Sequence, residues 1–545
     1  MTSYVREEPD TYNGVSAPQY NVLSYTWGNF LDPTEIAISV NGVDWPIPAI
    51  RKGHFTADTF KTAIARAASG VRYRCDWLWV DIACIPQKHE NETEMARDLR
   101  GQEIGRQVDI FRRAQEAFAW LSHMKTSELC GSQPFINIED FLDYANQGVS
   151  IRGAEDANSY LNMCENKFRL FETWMSKFLS HPWLSSLWTL QEMILRQDAW
   201  VLFDDGLFVL YHGDKVTPWT FSQIKTDVYC LRSISKGRHI EILENAEDVA
   251  VSGNFKSHKG CANRMRKRFE KLLEVQILKG LDASKVTIPN TAYSAARHRN
   301  ATELVDRIFG IVQIYEISCN PDPAGEDETA KLHALEDEFG AKLIAKSSLL
   351  SQIFIHSSEE PPRRTWLITQ KCIVDNFWES VFLSENIVNE LGSLKFLDET
   401  RNIQLHGKAW YLDTFFESKD DHLFKSYPGS PEQYLGLMLD YHISKEVLGQ
   451  VVDYFDGREN MLQAVQRLHK YYGKPSRIAL LGSGSEPRLP VVTYVGLVLA
   501  PLDNIKGNAE WIRIGLVRWI EIYTTDHSPP HYHLPGYSDF QCVIT

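Results

Sequence analysis

Glu192 closes the stretch "SSLWTLQE" (185–192), four positions after Trp188. On a helix that spacing puts the two on one face. Leu184 and Leu195 fall on the same face, while Trp183, Leu190 and Ile194 cluster opposite. The helix expected over 181–197, entered through Pro182, is therefore apolar on two sides and reads as buried between layers. A carboxylate there is costly unless it is paired or used. Asp81 poses the same question as the one break in the apolar run "WLWVDIACI" (77–85). Each acid has a structural reading: Glu192 paired with an arginine or capping amides, Asp81 accepting backbone hydrogen bonds at a strand end. Each also has a functional reading, and the residues alone leave both open. A third candidate segment is "YNVLSYTWG" (20–28). Its alternation predicts a strand, and Ser24, Tyr25, Trp27 and Gly28 lie at its end, where a Trp-Gly break leaves room for a ligand or a partner.

Other constellations are weaker. His527, His531 and His533 in "HSPPHYH" could bind zinc, but no Cys or acidic ligand stands at a usual spacing and the prolines suggest a surface loop, so no metal is expected. "LLGSGSEP" (480–487) resembles a phosphate loop only faintly. Pro487 and Pro490 forbid the helix that must follow, so a hairpin turn is expected. Hydrolase, zinc-protease and nucleotide-loop motifs are absent from the sequence.

These residues need elements to position them. "IAISVNGVDWPI" (36–47) reads as a hairpin around Asn41-Gly42. Residues 56–69 have helical spacing, with Thr56 or Asp58 as cap and Gly70 as stop. The 77–85 run suits a central parallel strand buried on both faces. Residues 103–115 read as helix, 117–122 as strand, 160–180 as helix and 199–206 as strand. The alternation predicts a doubly wound parallel α/β sheet, whose ligands bind outside the carboxyl ends of the strands. Ser24, Gly28 and Asp81 all fall at or near such ends. The helix "NRMRKRFEKLLEVQILKGL" (263–281) has one basic and one apolar face and reads as solvated on the basic side. Beyond 360, short β-like runs and turns dominate.

The chain has 545 residues, of which 43% are hydrophobic and 23% charged, enough for two to four domains with sizeable cores. The net charge of -14 argues against nucleic acid and against anionic membrane surfaces as partners. The opening "MTSYVREEPD" lacks a signal pattern, and the apolar stretch at 491–502 is too short to span a bilayer. Nine scattered cysteines suggest reduced thiols and a cytoplasmic location.

Three blocks taken in order resemble the fungal heterokaryon-incompatibility (HET) domain: "YNVLSYTWG" (20–28), "WLWVDIACIPQ" (77–87) and "HPWLSSLWTLQEMILRQDAWVLFDDG" (181–206). "VDRIFGIV" (305–312) resembles a segment that commonly follows them. Pro86 and Ser186 depart from the family pattern, which usually has a polar residue and an Arg there. The resemblance implies an effector of non-self recognition and programmed cell death. It implies protein partners in incompatibility signalling, homo-oligomerisation among them. The HET domain is in turn similar to TIR domains, flavodoxin-like signalling modules. "YNVLSY" is similar to the TIR first strand, "VDIACI" with the later "RGQEI" to its acidic strand-loop-helix, and "SSLWTLQE" to its S-x-W-C-x-x-E helix, with Thr189 in place of Cys. In TIR enzymes that Glu cleaves NAD+, so the resemblance implies Glu192 as the catalytic residue. Ser24, Tyr25, Trp27, Gly28, Asp81 and Trp188 would then line the nucleotide pocket, with NAD+ as substrate and no cofactor required. A non-enzymatic assembly module using the same loops is the competing reading. The two differ in geometry: the enzyme needs Glu192 facing a cleft near Ser24 and Trp27, whereas the adaptor needs Glu192 paired to Arg or backbone.

The organisation expected is a TIR-like α/β HET domain over 1–210 with an insertion at about 125–160. A helical extension over 211–318 closes with "VDRIFGIV", an acidic linker covers 319–331, and a mixed, β-rich C-terminal region of unknown role covers 332–545.

Overall fold

Tyr20–Ser24 (β1) is a strand because its apolar residues can be buried on both faces: Val22 and Leu23 are fully enclosed. In the computed structural model β1 sits, among the described residues, inside a sheet of four parallel strands. The structure describes the chain apart from residues 1, 5, 8–9, 27–39, 44, 46, 48–49, 51–54, 88–91, 131–137, 147–150, 211–217, 282–288, 322, 360–363, 375–386, 419–434, 450–457, 486–490, 503–509 and 523–536. With Trp77–Trp79 as β2, Ala117–Leu121 as β3 and Trp200–Phe203 as β4, the spatial order is β2-β1-β3-β4. Helix α1 (Ala57–Ser69) packs Phe60, Ala63 and Ala67 onto β1. It starts with a capping box of Thr56 and Thr59. It stops at Gly70, whose φ of 68° and whose approach to the Tyr73 carbonyl leave no space for a Cβ.

Two expectations are corrected here. The run at 77–85 is not a central strand buried on both faces. Only Trp77–Trp79 is strand, it lies at the sheet edge, and the chain turns at once into a helical turn, Asp81–Cys84. Asp81 begins that turn and accepts the Ile82 N–H at 2.6 Å, so a local side-chain bond competes with strand continuation. Likewise no continuous helix covers 181–197. Pro182–Ser185 is a 3₁₀ turn, Ser186 is extended, and the α-helix α2 runs Leu187–Leu195. Leu184 therefore does not share a helix face with Glu192. Of the expected 36–47 hairpin, residues 36–39 lie outside the described residues. Asn41-Gly42 does turn, with Gly42 at φ 79° and the Val43 N–H reaching the Val40 carbonyl at 3.4 Å.

The chain divides into two compact units, Met1–Lys285 with His298–Thr302, and Val286–Arg297 with Glu303–Thr545. In the first, a helical layer includes Ala154–Leu179, Phe221–Lys236, Arg238–Ser252 and Cys261–Leu278. Phe141, Phe168 and Phe269 join its helices edge to face. The basic helix buries Met265, Phe269 and Leu272, and spends charge on neighbouring helices through Arg266–Glu244 and Arg268–Glu172 pairs.

The β-rich C-terminal region is a barrel. Asn402–Tyr411 (β5), Arg477–Ser485 (β6), Val491–Leu502 (β7), Glu510–Ile522 (β8) and Ser538–Ile544 (β9) pair around a ring, β5-β6-β7-β8-β9 and back to β5. Only the β8–β9 pairing is parallel. The glycine-serine run is the end of β6, and Ser485 opposite Val492 sets the hairpin, whose residues 486–490 lie outside the described set. Trp410, Ile478, Leu480, Val498, Val517 and Trp519 form part of its core. Gly515 lets Leu435–Leu439 pair onto β8, since a Cβ there would meet the Met438 carbonyl at 2.2 Å. Asp306–Val312, the core of "VDRIFGIV", is a helix of this unit that buries Ile308, Ile311 and Val312.

Candidate functional site

Two side-chain pairs meet where the first two parallel strands end. Ser24, the last residue of β1, donates its hydroxyl to Oε2 of Glu192. Tyr25, the next residue, donates its hydroxyl to Oδ1 of Asp81, just past β2. Local structure fixes each partner. Parallel pairing of β1 with β2, from Tyr20 opposite Trp77 to Val22 opposite Trp79, brings residues 25 and 81 to one end of the sheet. The Tyr25 ring is buried against Phe60 of α1 at 5.3 Å. The Ser24 oxygen also accepts the indole N–H of Trp183 at 2.8 Å, and Trp183 is itself stacked on Phe221. The chain Trp183–Ser24–Glu192 is thus a directed relay of hydrogen bonds into one carboxyl.

The turn that delivers Trp183 is strongly specified. His181 caps it, accepting the Trp183 N–H at Nδ1 (3.1 Å), so its Nε2 carries the proton and donates to the Ser122 carbonyl at 2.6 Å. Burial pushes the His181 imidazole down to about 4, which keeps it neutral. Thr189 returns its hydroxyl to the carbonyls of Trp183 and Ser186, the latter at 3.0 Å.

Burial sets the electrostatics. It raises the Glu192 carboxyl to about 8; the Ser24 hydrogen bond opposes this and the Asp81 charge adds to it. Glu192 nonetheless keeps some solvent exposure. Burial raises Asp81 to about 6 against its bonds from Tyr25 and Ile82, and raises the Tyr25 phenol well above its usual value, with Asp81 contributing. Among the described residues no Lys or Arg forms an ion pair with Glu192.

Of the residues singled out in the sequence, Ser24, Tyr25, Asp81 and Glu192 converge here. Trp188 is half-buried one turn before Glu192 on α2. Trp27 and Gly28 lie outside the described residues, as do His527, His531 and His533. Among the described residues no cluster of His, Cys, Asp and Glu could hold a metal ion. A cavity of about 680 Å³ opens in the same unit, lined by Trp77, Trp79, Phe60 and Ile82 among others, but Ser24, Asp81 and Glu192 do not line it. Trp183, His181 and Thr189 were not anticipated as site-builders. The His-Pro-Trp order was the available signal, because a residue that can cap, followed by Pro, starts a helical turn.

Residues 20–192 match the family model described as heterokaryon incompatibility protein (HET). The match begins at Tyr20, the first residue of β1, and ends at Glu192. No curated protein and no solved structure matches the chain.

Proposed function

With a HET domain over residues 20–192 as the premise, we propose that this protein is an effector of fungal incompatibility, acting in non-self recognition and cell death. We further propose that its first unit breaks the nicotinamide–ribose bond of NAD+ through Glu192. The observation that carries the reading is a glutamate carboxyl hydrogen-bonded to Ser24 at the carboxyl end of the first parallel strand, with no ion pair to Lys or Arg among the described residues. The strand order β2-β1-β3-β4 supports it, since it is the flavodoxin-like order to which TIR modules are similar, and ligands of such sheets sit at the carboxyl ends.

The chemistry asked of the site is modest. The C1′–N bond breaks, nicotinamide leaves neutral with the bonding electrons, and positive charge spreads over C1′ and the ring oxygen. Water then adds to C1′, and its proton passes to bulk water. A carboxylate beneath the ribose stabilises the cationic stage. Glu192 must be ionised to do this and must exchange its Ser24 bond for the sugar. Asp81, held by Tyr25, is the neighbouring acid whose charge opposes ionisation of Glu192.

The test is to express the wild type, Glu192→Gln and Glu192→Ala in one host and follow NAD+. Depletion by the wild type alone supports catalysis through Glu192. Toxicity without NAD+ loss, retained in both variants, rejects it and favours an assembly module working through protein contacts.

A further inference from the structure

Arg299 is buried, 1% exposed, and among the described residues it forms no ion pair with a carboxylate. Its Nη1 donates to the Trp183 and Ser186 carbonyls at 3.1 and 3.2 Å, and its Nη2 to the Lys279 carbonyl. Lys279 stands nearby as a second cation and donates to the Ser185 hydroxyl at 2.6 Å. An uncompensated buried guanidinium at the N-terminal end of a helix opposes both solvation and the helix dipole. Burial alone lowers its proton affinity to about 9. A hydrophobic side chain would fill this position at less cost, so what the fork of donors holds is informative.

It holds the break between the 3₁₀ turn and α2. The two carbonyls it takes are the same two that Thr189 takes. The next residue completes the clamp: the Asn300 N–H reaches the Ser185 carbonyl at 2.6 Å, and the Asn300 carbonyl accepts the Leu187 N–H at 2.9 Å. Ser186 caps α2 by position but makes no side-chain cap bond; the first helical N–H, that of Leu187, is taken by the Asn300 carbonyl. Trp183 lies at one end of the clamped segment and Glu192 follows on the helix it starts. The five residues His298–Thr302 belong to the first unit, while the chain on both sides of them, 286–297 and 303–545, belongs to the second.

We propose that Arg299 is a positioning residue for Glu192, and that the His298–Thr302 strap holds the turn from which the Glu192 helix starts. Glu192's role in this rests on the reading of NAD+ cleavage above; the positioning of the helix does not.

The test uses the full chain with two variants. Arg299→Lys keeps the charge and loses the fork; Asn300→Pro removes one backbone donor and keeps the Arg299 side chain. Hydrogen exchange of amides 187–195 is read beside NAD+ turnover. The expected result is exchange at least about tenfold faster in 187–195, with β1, β3 and the barrel strands unchanged, and a comparable fall in turnover. Unchanged exchange in 187–195 in both variants overturns the proposal. So does a uniform rise across the whole first unit, which would mark Arg299 as a general stabiliser. Faster exchange confined to 187–195, with a wild type that consumes no NAD+, supports the positioning role and removes the NAD+ reading instead.

Discussion

At the residue scale the carboxyl of Glu192 decides the pH behaviour. Its proton affinity is raised from a usual 4.5 to about 8. The folded protein therefore binds more protons than the unfolded chain between those values, and stability falls as pH rises through that window. Asp81, raised from 3.8 to about 6, has the same sign at lower pH. His181 and His356, lowered from 6.5 to about 4, have the opposite sign and cost stability as pH drops below 6.5. Between pH 6.5 and 8 the Glu192 contribution is the main one of these left. Urea unfolding at the two ends of that window should show a loss of stability in the wild type that is largely absent in Glu192→Gln. If cleavage needs the carboxylate, turnover should rise with pH up to about 8. Because the Ser24 bond favours the ionised form, Ser24→Ala should move the midpoint of that profile upward. One lost hydrogen bond of ~1.4 kcal/mol corresponds to about one pH unit. A midpoint that stays put or moves down would separate Ser24 from the carboxyl.

At the element scale the site depends on an interruption. A continuous helix over 181–197 would carry Trp183 away along its axis; the 3₁₀ turn and extended Ser186 let Trp183 reach Ser24. Thr189→Val removes the hydroxyl that ties α2 back to two carbonyls and puts a methyl in a buried place. It should destabilise the protein by about 1–2 kcal/mol in denaturant titration. At the amino ends of the strands, Glu116 accepts the N–H groups of Val71, Arg72 and Tyr73 and the Trp200 indole. Glu116→Gln replaces charge-assisted bonds and puts a donor among donors, so a loss of about 1.5–3 kcal/mol is expected by the same measurement.

At the scale of the molecule each unit has its own core, and the barrel unit encloses charge. Asp440 and Arg513 are fully buried and joined at 3.0 Å, with Arg513 also donating to the Phe354 carbonyl and Asp440 accepting the His356 N–H. Removing one partner strands the other in the core. Asp440→Ala should cost about 3–5 kcal/mol, while Asp440→Leu with Arg513→Met should recover much of that, measured by exchange of the barrel-strand amides. Among the described residues no helix is long and apolar enough to cross a membrane.

Local pattern alone determined a good deal. Alternation gave β1, the buried apolar runs gave β3 and β4, 3.6-residue spacing and the Thr56/Gly70 signals gave α1, and the HET-like blocks marked the segments that carry the site residues. These are short-range properties, set by which faces of a segment can be buried. The tertiary structure decided the rest. The apolar run at 77–85 could not reveal that β2 is short and at the edge, because apolarity reports burial but not sheet position. The helix break at Ser186 is bridged by the strap at 298–302, more than a hundred positions away, which bonds Ser185 and the first helical N–H. Barrel closure needed β5 to pair with both β6 and β9. Ser24 and Glu192 are 168 positions apart, and a hydrogen bond between them depends on parallel pairing and helix packing that no local spacing encodes.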